Sequence, residues 1–232
     1  MKTIGLIGGM SWESTVPYYA ILNQEIKRIY GGYASAKIIL YSVDFSEIEA
    51  AQTRGDWETM GNTLGNIALT LQNAGADAIV LCTNTMHKVA DAIQSKISIP
   101  FLHIADAVAD EVKLHGITNV ALLGTMYTMT QDFYVDRLTS HGLNVLKPKP
   151  TDMEIIHSVI FEELVLGDIR EESRNEYRRI IADLVADGAH GIILGCTEIG
   201  LLVEAEDARI PLFDTVKIHA LQAARFMTES EI

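Results

Sequence analysis

Short apolar runs alternate along this chain with longer stretches in which apolar residues return at helical spacing. Runs at 3–8 (TIGLIG), 37–43 (KIILYSV), 77–82 (DAIVLC) and 100–103 (PFLH) predict strands in the first half. In the second half the strand runs are 118–123 (TNVALL), 144–147 (NVLK), 190–194 (HGIIL) and 211–213 (PLF). Helical period marks 14–30, 56–74, 86–96, 129–141, 152–166 and 170–187. Strands that are apolar throughout, without polar alternation, are buried on both faces. That is the pattern of a parallel sheet covered by helices, so the chain reads as α/β. Ligands of such sheets gather at the carboxyl ends of the strands.

The pattern repeats itself. GADAIVLCTNT (75–85) matches GAHGIILGCTE (188–198), TIGLIGGM (3–10) matches NVALLGTM (119–126), and IPFLHIAD (99–106) matches IPLFDTVK (210–217), at offsets of 113, 116 and 111 residues. Three matches in order and nearly in register predict two similar lobes, each a parallel sheet flanked by helices, related by a pseudo-two-fold internal duplication. No Pro/Gly/Ser-rich tether separates the halves, so the lobes are expected to share an interface. The repeat also sorts the only two cysteines, Cys82 and Cys196. Gly188 to Cys196 is eight residues, as is Gly75 to Thr83. The counterpart of Cys196 is therefore Thr83, and Cys82 falls one position short. Neighbouring side chains on a strand point to opposite faces, so Cys82 reads as a small buried hydrophobe.

Composition narrows the function. With 48% hydrophobic and 21% charged residues the chain is globular. A net charge of −13 argues against a nucleic-acid partner, whose phosphates need a basic face. The apolar run in MKTIGLIGGM stops at Gly8-Gly9, too short for an export signal, and no run approaches a membrane span. A reducing cytoplasm is the expected compartment, and a Cys82–Cys196 disulfide is not expected there. Gly5, Gly8 and Gly9 do not form a dinucleotide fingerprint, and the spacing of Cys82, His87, His103 and Cys196 matches no familiar zinc pattern. The charge run AEDAR (205–209) reads as a solvated loop.

CTNTMH (82–87), GCTE (195–198) and the opening GLIGGMSWEST (5–15) resemble the signature segments of the aspartate/glutamate racemase family. The resemblance spans both halves. It implies amino-acid racemisation without pyridoxal phosphate or other cofactor and without a metal, on a small-molecule amino acid held in the cleft between two lobes. It further implies that the terminal helix (215–229) returns to the first lobe, giving lobes of 1–104 plus 215–232 and 105–214, because Asp214 matches the family's crossover. The oligomeric state, a homodimer included, is left open.

Racemisation takes an α-proton from one face of a carbon and returns one to the other, so two acid–base groups must flank it. Thr83 and Cys196 are the expected pair. Thiols suit this work because a helix amino terminus can lower their pKa, and each signature strand is expected to run into a helix. Most family members carry cysteine in both positions. An unactivated threonine hydroxyl is a far poorer base than a thiol, which puts symmetric two-base chemistry in question and keeps a single-cysteine decarboxylase, or another isomerase of the same superfamily, as the alternative. The side chains of Asn84, Thr85 and Thr197, with backbone N–H groups, suit an α-carboxylate and a developing carbanion. Glu198 completes the second signature and is expected, with Thr197, among the substrate contacts. The loops at Met10 and at GTMYT (124–128) are expected to approach the substrate, with Thr125, Tyr127 and Thr128 able to bind a carboxylate or cap the loop. The family's arginine for a distal carboxylate falls at Gln52, and the second-lobe counterpart region FEELVLG (161–167) offers Leu164 or Val165. Gln52 can hydrogen-bond a carboxylate but not neutralise it, which argues against strict aspartate or glutamate specificity.

Overall fold

The computed structural model describes residues 1–229 of the chain and divides it into two compact units, Met1–Ile104 with His219–Ile232, and Ala105–Ile218. In the first unit the chain runs through β1 (Ile4–Gly8), α1 (Trp12–Tyr30), β2 (Ile38–Ser42), α2 (Phe45–Arg54), α3 (Trp57–Asn73), β3 (Ala78–Leu81), a 3₁₀ turn (Thr85–Val89), α4 (Ala90–Gln94) and β4 (Phe101–Leu102). After α5 (Ile104–Leu114) come β5 (Asn119–Gly124), α6 (Met126–Thr130), α7 (Asp132–Ser140), β6 (Asn144–Leu146), α8 (Pro150–Glu162), a 3₁₀ turn (Leu164–Leu166) and α9 (Glu171–Ala186). β7 (Gly191–Gly195), α10 (Ile199–Leu202), β8 (Leu212–Asp214) and α11 (Thr215–Thr228) follow. All eight apolar runs form strands, in two parallel sheets ordered β2-β1-β3-β4 and β6-β5-β7-β8. The second order is the first one repeated.

Strand registers repeat as well. Ile7 pairs with Leu81 in the first sheet, and Leu123 with Leu194 in the second. Val80 pairs with Leu102, and Ile193 with Phe213. The strand pairs are thus related by the same offsets of 116, 113 and 111 residues that relate the sequence segments. Each unit buries its own core. Ile7, Leu64, Ile79, Leu81 and Ile93 are at the centre of one, and Leu123, Ile156, Ile180, Ile192 and Ile199 at the centre of the other.

Two departures from the apolar pattern have local causes. α2 was not marked by the pattern because it buries only Ile48, Ala51 and Gln52, too short a stripe to set a period. Its turn chemistry defines it: Asp44 accepts the Ser46 N–H at its start, and Gly55 takes the left-handed conformation (φ 69°) at its end. The single helix expected over 129–141 is two, α6 and α7, broken at Gln131, whose backbone is extended (φ −90°, ψ 148°). Met129 and Tyr134 are both fully buried, and a continuous helix would set them about 140° apart around its axis. Among the described residues no helix is long and apolar enough to cross a membrane.

Candidate active site

The strand registers bring Thr83 and Cys196 to the same place in their respective sheets, two residues beyond the paired Leu81 and Leu194. Cys82 then matches Gly195. A Cβ on Gly195 would lie 2.7 Å from Leu122 Cδ1 and 2.8 Å from the Leu123 carbonyl oxygen, so the second unit accepts no side chain where the first carries a small thiol. Cys82 has no exposed surface, and burial alone pushes its thiol far above the usual range. It is a packing residue in this structure. Both cysteines are free thiols.

In the first unit Thr83 and Asn84 lead into the 3₁₀ turn that begins at Thr85, and all three are buried. The Thr83 carbonyl receives the His87 ring at 2.7 Å (Nδ1). On the neighbouring strand end, Gly9 adopts φ 90° with Val43 backbone where a side chain would go, and its N–H donates to Thr15 Oγ1 at 2.9 Å. Met10 follows, packed in the core of this unit, and Ser11 caps α1 by accepting the Ser14 N–H. Gln52 is buried and its amide donates to the sulfur of Met86 at 3.1 Å, just past Thr85.

In the second unit the Cys196 thiol donates to Glu198 Oε2 at 3.1 Å, and the Thr197 hydroxyl donates to the same oxygen at 2.7 Å. Burial, then the negative charge of Glu198 and this hydrogen bond, hold the thiol well above its ordinary pKa. That corrects the expectation of a thiol acidified by a following helix. α10 has four residues and begins three positions after Cys196, so few peptide dipoles align behind the sulfur, and the turn after Thr83 is 3₁₀. The sulfur is instead matched to a proton acceptor. Sequence reasoning placed Glu198 among substrate contacts; its side chain faces the thiol.

Thr125 and Thr128 form a cap. Thr125 Oγ1 accepts the Thr128 N–H at 3.3 Å and lies 3.1 Å from the Thr128 hydroxyl. The Met126 N–H donates to His157 Nδ1 at 3.2 Å, so α8 holds this loop through a histidine that no sequence motif marked. Leu164 has no exposed surface and packs in the core of its unit with Ile199. No lysine or arginine is buried among the described residues. Lys88 lies over the Trp57 ring at 3.8 Å, and Arg54 is exposed. No cluster of metal-ligating side chains occurs among the described residues.

Two four-stranded parallel sheets of one design, each ending in a signature segment, define a two-unit α/β isomerase fold. The chain belongs to the Asp/Glu/hydantoin racemase family, which it matches over residues 7–223. It is 57% identical to a proposed Asp/Glu racemase from Yersinia pestis, whose crystal structure superposes with a TM-score of 0.92, covering 98% of this chain and 99% of that one. An aspartate racemase homologue from Pyrococcus horikoshii is 37% identical, with a TM-score of 0.84 over 98% of this chain and 100% of that one. The broad-specificity amino-acid racemase RacX of Bacillus subtilis is 23% identical over 91% of this chain and 92% of its own length.

Proposed function

We propose that this protein is a cofactor-independent amino-acid racemase in which Cys196 and Thr83 serve opposite faces of the substrate's α-carbon. The observation that carries the reading is the hydrogen bond from Cys196 to Glu198. A buried thiol aimed at a carboxylate can pass its proton there, and the resulting thiolate can take the α-proton or, in reverse, the thiol can return it. Thr83 returns or removes the proton on the other face, through its hydroxyl or a water that it holds. Asn84, Thr85 and Thr197 are the proposed holders of the α-carboxylate, with Thr125 and Thr128 shaping the loop beside it. Gln52 is the proposed contact for the substrate's side chain, where an amide suits an uncharged group better than a distal carboxylate, and Leu164, closed in the core of its own unit, offers no cation. The relative named as broad in specificity supports the same choice.

Incubating the protein in D₂O with each enantiomer of the common amino acids tests this directly. Racemisation with α-deuteration, and faster turnover of neutral than of acidic side chains, is expected without added cofactor. Thr83→Cys should raise the rate, at most about 10²–10⁴-fold, because it supplies a second competent acid–base group. Thr83→Ala should be severely impaired. A fully active Thr83→Ala enzyme would show that Thr83 carries no proton. One observation favours a second reading: only one of the two equivalent positions bears a thiol, as a decarboxylase that protonates one face would need. Carbon dioxide release from a malonate, with no α-exchange on amino acids, would select it.

A further inference from the structure

The two units differ where their proposed acid–base groups differ. In the second, a carboxylate sits on the reacting sulfur itself. In the first, the partner of the Thr83 segment is His87, whose counterpart at the 113-residue offset is Gly200, with no side chain at all. His87 is 3% exposed. Its Nε2 lies 3.2 Å from the Ile104 backbone nitrogen, and its Nδ1 lies 2.7 Å from the Thr83 carbonyl. A peptide N–H only donates and a carbonyl only accepts, so Nε2 is bare and the single ring proton is on Nδ1. The ring is neutral and held in one tautomer.

Three rings stand against His87. His103 stands 4.5 Å and His219 6.0 Å away between ring centroids, with Phe101 at 5.4 Å. His219 is itself fixed: its Nε2 meets the Leu102 carbonyl at 2.8 Å, so its Nδ1 accepts from the Tyr18 hydroxyl at 2.9 Å. Burial, then the neighbouring imidazoles His103 and His219, hold His87 well below the ordinary imidazole pKa. Its Nδ1 proton is given to the backbone of this segment, to Thr83 first and then to Asn84.

We infer that His87 is a positioning residue that clamps the Thr83 peptide to the start of α5 and thereby aims the Thr83 hydroxyl, without exchanging a proton with substrate. The inference rests on the proposed role of Thr83. A hydroxyl is a weak acid–base group, and its contribution depends on placement more than that of a thiol does. Fixing the carbonyl of Thr83 fixes the peptide that follows its Cα and removes a torsional freedom that the side chain would otherwise share.

The test compares wild type, Thr83→Ala, His87→Phe and His87→Gln for α-deuterium uptake in D₂O. Each enantiomer of the amino acid that wild type racemises fastest is the probe. Thr83→Ala identifies which enantiomer presents its proton to Thr83, since that exchange is the one it loses. His87→Phe, shown to be folded by circular dichroism, should slow the same exchange by about tenfold or more while leaving exchange from the other enantiomer within about twofold. Net racemisation must fall equally in both directions, with kcat reduced more than KM is raised. His87→Gln keeps a donor and an acceptor on one planar group and should restore most of the lost exchange. Should the phenylalanine variant not fold, the glutamine variant decides: equal loss from both enantiomers overturns the inference. So does a folded His87→Phe that slows both alike or slows neither. Absence of exchange by wild type from every amino acid would instead remove the racemase reading.

Discussion

At the residue scale the decisive contact is between a thiol and a carboxylate. Glu198 accepts a hydrogen bond from Cys196 and, by its charge, also opposes ionisation of that sulfur. These two effects separate in Glu198→Gln, tested in a Cys82→Ala background so that only one thiol reports. Glutamine keeps an oxygen that can accept the hydrogen bond but has no charge, so Cys196 ionises at lower pH and its alkylation by iodoacetamide should begin at lower pH. Racemisation should nevertheless fall, by about 10²-fold, because an amide cannot take up the thiol proton as a carboxylate can. An unchanged alkylation profile would mean that Glu198 does not govern the thiol. Cys82→Ala alone should keep nearly full activity, whereas Cys196→Ser should be nearly inactive, a serine hydroxyl being no substitute for a thiolate.

At the scale of elements, β7 and β5 bring backbone against backbone immediately before the thiol. Gly124 pairs with Gly195, and a Cβ on either would meet the other strand's backbone at 2.8 Å. Gly195→Ala should therefore destabilise the protein by about 1–3 kcal/mol through overpacking. It should also lower activity beyond that loss, since the strain is relieved by moving Cys196. Chemical denaturation and racemisation assays on the same preparation check both parts, and a variant of wild-type stability would contradict the geometry. The matching slot in the first unit holds Cys82, the stronger reason to treat that thiol as packing.

For the whole molecule, acid is the expected weakness. His87 is kept neutral in the fold well below its ordinary pKa of 6.5, whereas in the unfolded chain it takes up a proton near that pH. Below pH 6.5 the unfolded state binds more protons, so stability falls as the pH is lowered, by up to about 1.4 kcal/mol per pH unit for this one group. The loss continues down to the folded-state pKa. Thermal midpoints across pH 7 to 5 should drop in wild type and drop less steeply in His87→Gln. Parallel slopes would assign the acid sensitivity to other groups.

The eight strands, the internal duplication and the equivalence of Thr83 with Cys196 were legible in the chain, because apolar runs and repeat offsets survive as linear patterns. The family was legible in CTNTMH and GCTE for the same reason. Helix α2 was not, since three buried residues make no period, and the break at Gln131 was not, since each of its halves answers to burial rather than to propensity. The direction of the Cys196 pKa was misread from sequence. A helix was expected to follow the strand, but its four-residue length and the turn of Glu198 back onto the sulfur are products of folding. The tautomer of His87 belongs to the same kind. Seventeen residues separate it from Ile104 in sequence, and only tertiary structure, by closing that distance to a hydrogen bond, decides which nitrogen carries the proton.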